Sequence, residues 1–120
     1  METLAEKAFW DVRYHPDNIP ELPVPGNPNR TFYAFTRNYD EYVIWNRLYE
    51  AFMPRGGDKR VLEVGSAPGY YLVQLNQRFG LDPYGIEYSE PGAAQNRAYF
   101  LKYGLNPENV THGDFFEGIN

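Results

Sequence analysis

The sequence predicts an α/β fold: a parallel sheet in the order β-α-β-α-β, truncated after its third strand and preceded by an N-terminal helical extension. Three observations predict it. From Lys59 onward, short apolar runs alternate with helix-length stretches, whereas the residues before them read as helical or proline-rich. The first run, Val61 to Val64, leads straight into Gly65-Ser-Ala-Pro-Gly69, a glycine-bearing turn ahead of a helix. Glu87 and Asp114 then close the next two apolar runs, each one helix and one strand after the previous marker.

The elements follow in order. Residues Glu2–Tyr14 read as a helix, with Thr3 and Glu6 as a capping box and Leu4, Ala8, Phe9 and Val12 on adjoining faces. It stops before His15-Pro16, because proline disfavours a helical residue ahead of it. Five prolines between Pro16 and Pro28 make an extended connector and no packed element. A second helix is expected from Tyr39 to Phe52, capped by Asn38 or Asp40, with Ile44, Leu48 and Phe52 as its stripe. The aromatic group Tyr33, Phe35, Tyr39 and Tyr42 reads as core packing. Pro54 and Gly56-Gly57 end this region, so residues 1–58 form the extension and 59–120 the sheet domain.

Within that domain, Arg60–Val64 is expected as a buried strand, followed by a helix from about Gly69 to Phe79 that ends at Gly80. After an Asp82-Pro83 turn comes the strand Tyr84–Tyr88. The next helix runs from Pro91 to Tyr103, with Ser89 as cap and Gly104 as terminator. A short strand near Asn109–His112 leads to Gly113-Asp114.

Composition narrows the function classes. A net charge of −5, without a run of Lys or Arg, lacks the basic stripe that nucleic acid requires. With no cysteine, disulfides, thiolate nucleophiles and zinc–thiolate sites are excluded. No His/Asp/Glu spacing points to a metal. No apolar stretch approaches the roughly 18 residues of a membrane span, and the acidic N-terminus is unlike a signal peptide, so a cytoplasmic protein is expected.

The three marked positions suit a particular ligand. Gly65 permits a tight turn at the strand end, and Gly69 permits close helix approach. Glu63 sits on the last turn of the first strand. A carboxylate at Glu87 is placed to accept both hydroxyls of a ribose, with Tyr88 beside it for a flat base. Asp114 is placed to accept from an exocyclic amine. Neither the full Gly-x-Gly-x-x-Gly nor a Gly-Lys-Ser/Thr loop is present, which disfavours a phosphate-bearing nucleotide. An amino-acid head, a ribose, an adenine and a cationic sulfonium fit three acids better.

The runs Val61-Leu-Glu-Val-Gly-Ser-Ala-Pro-Gly69, Gly85-Ile-Glu-Tyr-Ser89 and Thr111-His-Gly-Asp-Phe115 resemble the first three motifs of class I S-adenosylmethionine-dependent methyltransferases. The resemblance covers about residues 59–117 and implies a Rossmann-like sheet, S-adenosyl-L-methionine as cofactor and methyl transfer as activity. By position it implies that Glu63, Gly65, Ser66, Ala67 and Gly69 hold the methionine part of the cofactor. Glu87 would bind the ribose hydroxyls, Tyr88 would pack on the adenine, and Asp114 with Phe115 would define the adenine edge. One departure is Ala67, where the family usually carries the middle glycine. Trp10-Asp-Val-Arg-Tyr14 is similar to a Trp-x-x-x-Tyr on N-terminal helices that close over the cofactor, with packing of Trp10 on the sheet as the plainer reading.

Residues that choose the acceptor in that family usually follow the fourth and later strands. The chain therefore reads as the cofactor half of the fold, a fragment expected to be inactive by itself. The methyl acceptor is unassigned, with a small molecule favoured, and no catalytic residue is identified. The competing expectation is a non-catalytic module that binds a nucleoside or a partner subunit through the same fold.

Overall fold

The computed structural model describes Ala8, Asp11, Tyr14, Thr36, Asn38 and residues 39–117. Of the expected first helix, Ala8 and Asp11 are helical and Tyr14 is not. The Thr3/Glu6 cap, Trp10, the proline connector, Tyr33 and Phe35 lie outside the described residues. The chain forms two compact units, Glu21–Pro54 and, together, Met1–Pro20 with Arg55–Asn120.

In the first of these units a π-helical stretch, Asp40–Tyr49, runs into a turn of α-helix, Glu50–Phe52; together they are α1. The Glu50 N–H reaches Trp45 O, five residues back, whereas the Met53 N–H returns to Tyr49 O at 2.8 Å, four residues back. Thr36 and Asn38 are already helical, and Tyr39 makes no side-chain capping bond, so neither Asn38 nor Asp40 marks the start as expected. The wider winding also undoes the expected stripe. Side chains four apart no longer stack as they do at 3.6 residues per turn. Trp45 is the buried residue, its ring edge-on to Tyr49 at 5.1 Å, while Leu48 and Phe52 are exposed. Tyr39 and Tyr42 are exposed too, against the expectation of core packing.

The second unit carries the sheet. Strands β1 (Arg60–Val64), β2 (Asp82–Glu87) and β3 (Val110–His112) are parallel and lie in the order β1-β2-β3. Helices α2 (Tyr70–Phe79) and α3 (Glu90–Lys102) make the crossovers. The α/β reading of the sequence holds: this is an open parallel sheet with the Rossmann-like order. Crossovers between parallel strands are right-handed as a rule, and two of them stepping in one direction put both helices on one face. β1 is consequently not the buried strand expected, since Leu62 and Val64 on the other face remain about half exposed, at 52% and 51%. The core lies under the helices and contains Leu72, Val73, Leu75, Phe79, Leu81, Ala93, Tyr99, Phe100 and Val110.

β2 starts two residues earlier than expected. Asp82-Pro83 is strand, not turn, and Pro83 pairs with Val61. The Asp82 N–H bonds Lys59 O on the β1 side, so the next residue points its polar groups the other way. There the Asn109 amide donates to Pro83 O at 3.1 Å, and β3 does not begin pairing until Gly85. The missing N–H of Pro83 therefore falls where no ladder partner is present.

Punctuation works as expected elsewhere. Gly80, at φ +72°, ends α2 with its N–H on Asn76 O. Ser89 caps α3 by accepting from the Gly92 N–H, and Pro91 sits in the first turn. Gly104 and Leu105 close α3 with N–H bonds to Leu101 O and Phe100 O, the paired closure of a Schellman turn. The Arg97 guanidinium then fastens β3, donating from Nε and Nη2 to Val110 O at 3.1 and 3.0 Å.

Candidate functional site

The carboxyl ends of the three strands bring the sequence-marked residues to one rim. Gly65, at φ +73°, turns the chain out of β1, and its N–H bonds Ile86 O at 2.8 Å. The loop to Gly69 then packs against the end of β2. Gly65, Tyr88, Asp114 and Phe115 line a cleft of about 300 Å³ with Val64, Ile86, Gly113 and Phe116. A second cleft of about 210 Å³ is lined by Gly65, Glu87, Tyr88 and Tyr14. Glu63, Ser66, Ala67 and Gly69 line neither of these clefts; they form the frame behind them.

Glu87 is the centre of that frame. It is 6% exposed, yet both carboxylate oxygens are satisfied: Oε2 accepts from the Ala67 N–H at 2.9 Å and Oε1 from the Ser89 N–H at 3.1 Å. One side chain thus joins the loop after β1 to the loop after β2. Its backbone O also accepts from the Gly113 N–H at 3.0 Å, which draws in the loop after β3. Each carboxylate oxygen keeps a second lone pair for a ligand hydroxyl.

The first N–H groups of the glycine loop are turned inward: those of Gly65, Ser66 and Ala67 are bonded to Ile86 O and Glu87, and Pro68 has none. The loop is held rigid from inside. Gly69, at φ +109°, opens α2 and leaves room for Asn96 of α3, so the close helix approach comes from the second crossover helix and not the first.

Glu63 is half-buried, and its Oε2 is buried with no hydrogen-bond partner. Burial, and then the negative charge of Glu87, push its carboxyl up from 4.5 to about 7. Near neutral pH it is therefore an acid shared between two protonation states, not the full negative charge that its residue type suggests. Because the folded state holds this proton more tightly, the associated stability is complete below pH 4.5 and is lost as pH rises through about 7. Glu63→Gln is expected to be more stable than wild type at pH 8, by on the order of 3 kcal/mol, with the difference closing towards acid pH. Urea unfolding of both proteins across that range checks this; parallel pH profiles would refute it.

Asp114 and Tyr88 both line the larger cleft. Asp114 Oδ1 accepts from the Phe116 N–H at 2.9 Å, capping the turn after β3, and the residue still lines the cleft. Tyr88 is 47% exposed, leaving much of its ring free to lie against a flat group. His112 Nε2 and Tyr88 O are 3.2 Å apart, a structural role at the rim.

Two contributors, Asp11 and Asn96, escaped the sequence reading, whereas Tyr14 belongs to the Trp-x-x-x-Tyr run already marked. Tyr14 donates its hydroxyl to Ala67 O at 3.2 Å and walls the smaller cleft. Asp11 Oδ1 accepts from Ser89 Oγ at 2.7 Å, so Tyr14 and Asp11 between them touch both loops that Glu87 joins. Asn96, wholly buried, donates from Nδ2 to Ser66 Oγ at 2.6 Å. The sequence signal for Asn96 was its place among Gly92, Ala93, Tyr99 and Phe100, at helical spacing on an apolar face.

No family model matches the chain. In sequence it is 30% identical over 119 residues to the protein-L-isoaspartate O-methyltransferase of Koribacter versatilis (strain Ellin345), a match covering 99% of this chain and 50% of that protein. The chain spans about half the length of the curated relative it matches. Among solved structures it is similar to geranyl diphosphate C-methyltransferase from Streptomyces coelicolor A3(2) in complex with Mg2+, geranyl diphosphate and S-adenosyl-L-homocysteine. That likeness has a TM-score of 0.52 at 18% identity, over 73% of this chain and 34% of the other, and it is one of fold.

Proposed function

From a fold that is that of the class I S-adenosylmethionine-dependent methyltransferases, and a sequence matching one of them, we propose that this chain binds S-adenosyl-L-methionine for methyl transfer. The observation that carries the reading is Glu87: a buried carboxylate at the end of β2, held by two loop N–H groups and bordering a cleft with Tyr88. The residues present fit the cofactor. Glu87 accepts from the ribose hydroxyls. The apolar walls of Val64, Ile86, Tyr88 and Phe115 take the adenine, and Asp114 stands at its edge. Among the described residues neither cleft is lined by a lysine or arginine, which agrees with a ligand lacking phosphates.

Glu63, two residues before Gly65, is assigned to the methionine part, and a cationic group near it favours its ionised form. Tyr14, which lines the smaller cleft, covers part of it against water. The bound cofactor supplies an electrophilic methyl group on a sulfonium. The chain's own residues hold the donor in place for an acceptor, so orientation is their contribution to rate.

The acceptor is proposed to be a small molecule. A protein acceptor, the substrate class in the name of the bacterial relative, is the alternative for assay. The non-catalytic module is not favoured, because both matched proteins are methyltransferases. Cytoplasmic residence is part of this proposal; among the described residues no helix is long and apolar enough to cross a membrane. Calorimetric titration with S-adenosylmethionine and S-adenosylhomocysteine tests the donor site. A folded protein that binds neither excludes the reading. Transfer of labelled methyl to isoaspartyl peptides and to small-molecule pools then decides the acceptor class.

A further inference from the structure

Asn96 lies in the middle of the buried face of α3, fully out of solvent. Its Nδ2 donates to Ser66 Oγ at 2.6 Å, while its Oδ1 is buried and has no hydrogen-bond partner. The side chain occupies a slot left open by two glycines. A Cβ on Gly69 would run into Asn96 Oδ1, and one on Gly85 would meet Asn96 Nδ2 at 3.1 Å and collide with Ser66 Oγ. For stability alone an asparagine is a poor occupant here, since an unpartnered buried oxygen costs free energy that an apolar side chain avoids. What asparagine supplies is a fixed donor to Ser66. Ser66 lies between Gly65, which lines both clefts, and Ala67, whose N–H holds Glu87.

We propose that Asn96 is a positioning residue for the donor site: through Ser66 it fixes the Gly65–Gly69 loop, and with it the Ala67–Glu87 bond, in the shape that receives S-adenosylmethionine. The proposal rests on the donor-binding reading above. It assigns a ligand-directed role to a helix that touches neither cleft. It also explains why Gly69 and Gly85, on different elements, both face the same amide.

The test compares wild type, Asn96→Ala, Ser66→Ala and the double variant. Each is titrated calorimetrically with S-adenosylhomocysteine, and the ligand-free proteins are followed by thermal unfolding and amide hydrogen exchange. Each single variant is expected to weaken binding about tenfold, and the double variant no more than the worse single one, because the two residues act as one unit. The Ala67 amide should exchange faster in all three, while the β2 amides keep wild-type protection. Wild-type affinity in a variant that melts lower overturns the positioning role, and so does additive loss in the double variant. If Asn96→Ala does not fold, Ser66→Ala removes only a hydroxyl and carries the same test. A folded wild-type protein that binds no S-adenosylhomocysteine overturns the donor reading instead, and Ala67 exchange then still judges the Ser66–Asn96 link.

Discussion

Glu87→Ala is expected to reduce S-adenosylhomocysteine affinity by at least about 100-fold, since two hydrogen bonds to a charged group contribute together roughly 3 kcal/mol or more. The substitution removes the acceptor proposed for the ribose hydroxyls. It also leaves the Ala67 and Ser89 N–H groups without their carboxylate, so the loops after β1 and β2 come apart and the protein melts lower. Glu87→Gln separates the two effects. Glutamine keeps the volume and one acceptor oxygen, so part of the stability returns, whereas the charge does not and binding stays weak. Calorimetry paired with a thermal melt reads both quantities. Unchanged affinity in a folded Glu87→Ala protein would end the donor-site reading.

Gly69→Ala is expected to be the most damaging single methyl in the sheet unit, costing about 3 kcal/mol from backbone strain and overpacking combined. Two conditions coincide there. The backbone has φ +109°, where an L side chain is strained, and the added Cβ would strike Asn96 Oδ1 with Asn96 Cγ at 3.2 Å. Asn96 and Tyr99, its neighbours, are fully buried and have no room to give way. Gly104→Ala is the control. It carries a similar positive φ of +77° but has nothing within 4 Å, so only the backbone cost of about 1 kcal/mol applies. Denaturant unfolding of both variants measures the contrast. Equal losses would show that the slot around Gly69 is not the constraint described.

Much of the sheet unit was legible because glycine and proline mark its joints by stereochemistry. Gly65, Gly80 and Gly104 all take positive φ where a turn or helix stop was expected, and Ser89 caps α3 as its residue type suggests. Pro83 misled for a physical reason: the Asp-Pro pair is a common turn, but here its missing N–H faces a stretch without a partner strand. The stripe of α1 failed because it assumes 3.6 residues per turn, and the π winding of Asp40–Tyr49 is a hydrogen-bond choice that residue periodicity does not encode. At the site, the acids at the strand ends were readable from spacing. What held them was not, because the Asn96–Ser66 and Asp11–Ser89 bonds join residues 30 and 78 positions apart. Glu63 was legible as a residue but not as an acid near neutrality, since that depends on burial and on the nearness of Glu87.

The bridge that Glu87 makes between two loops has a kinetic meaning. With the Ala67 and Ser89 amides already anchored, the rim does not have to assemble around the ligand. Association at this rim should then be a single step whose observed rate rises linearly with ligand concentration. Differences among ligands will lie in how quickly they leave.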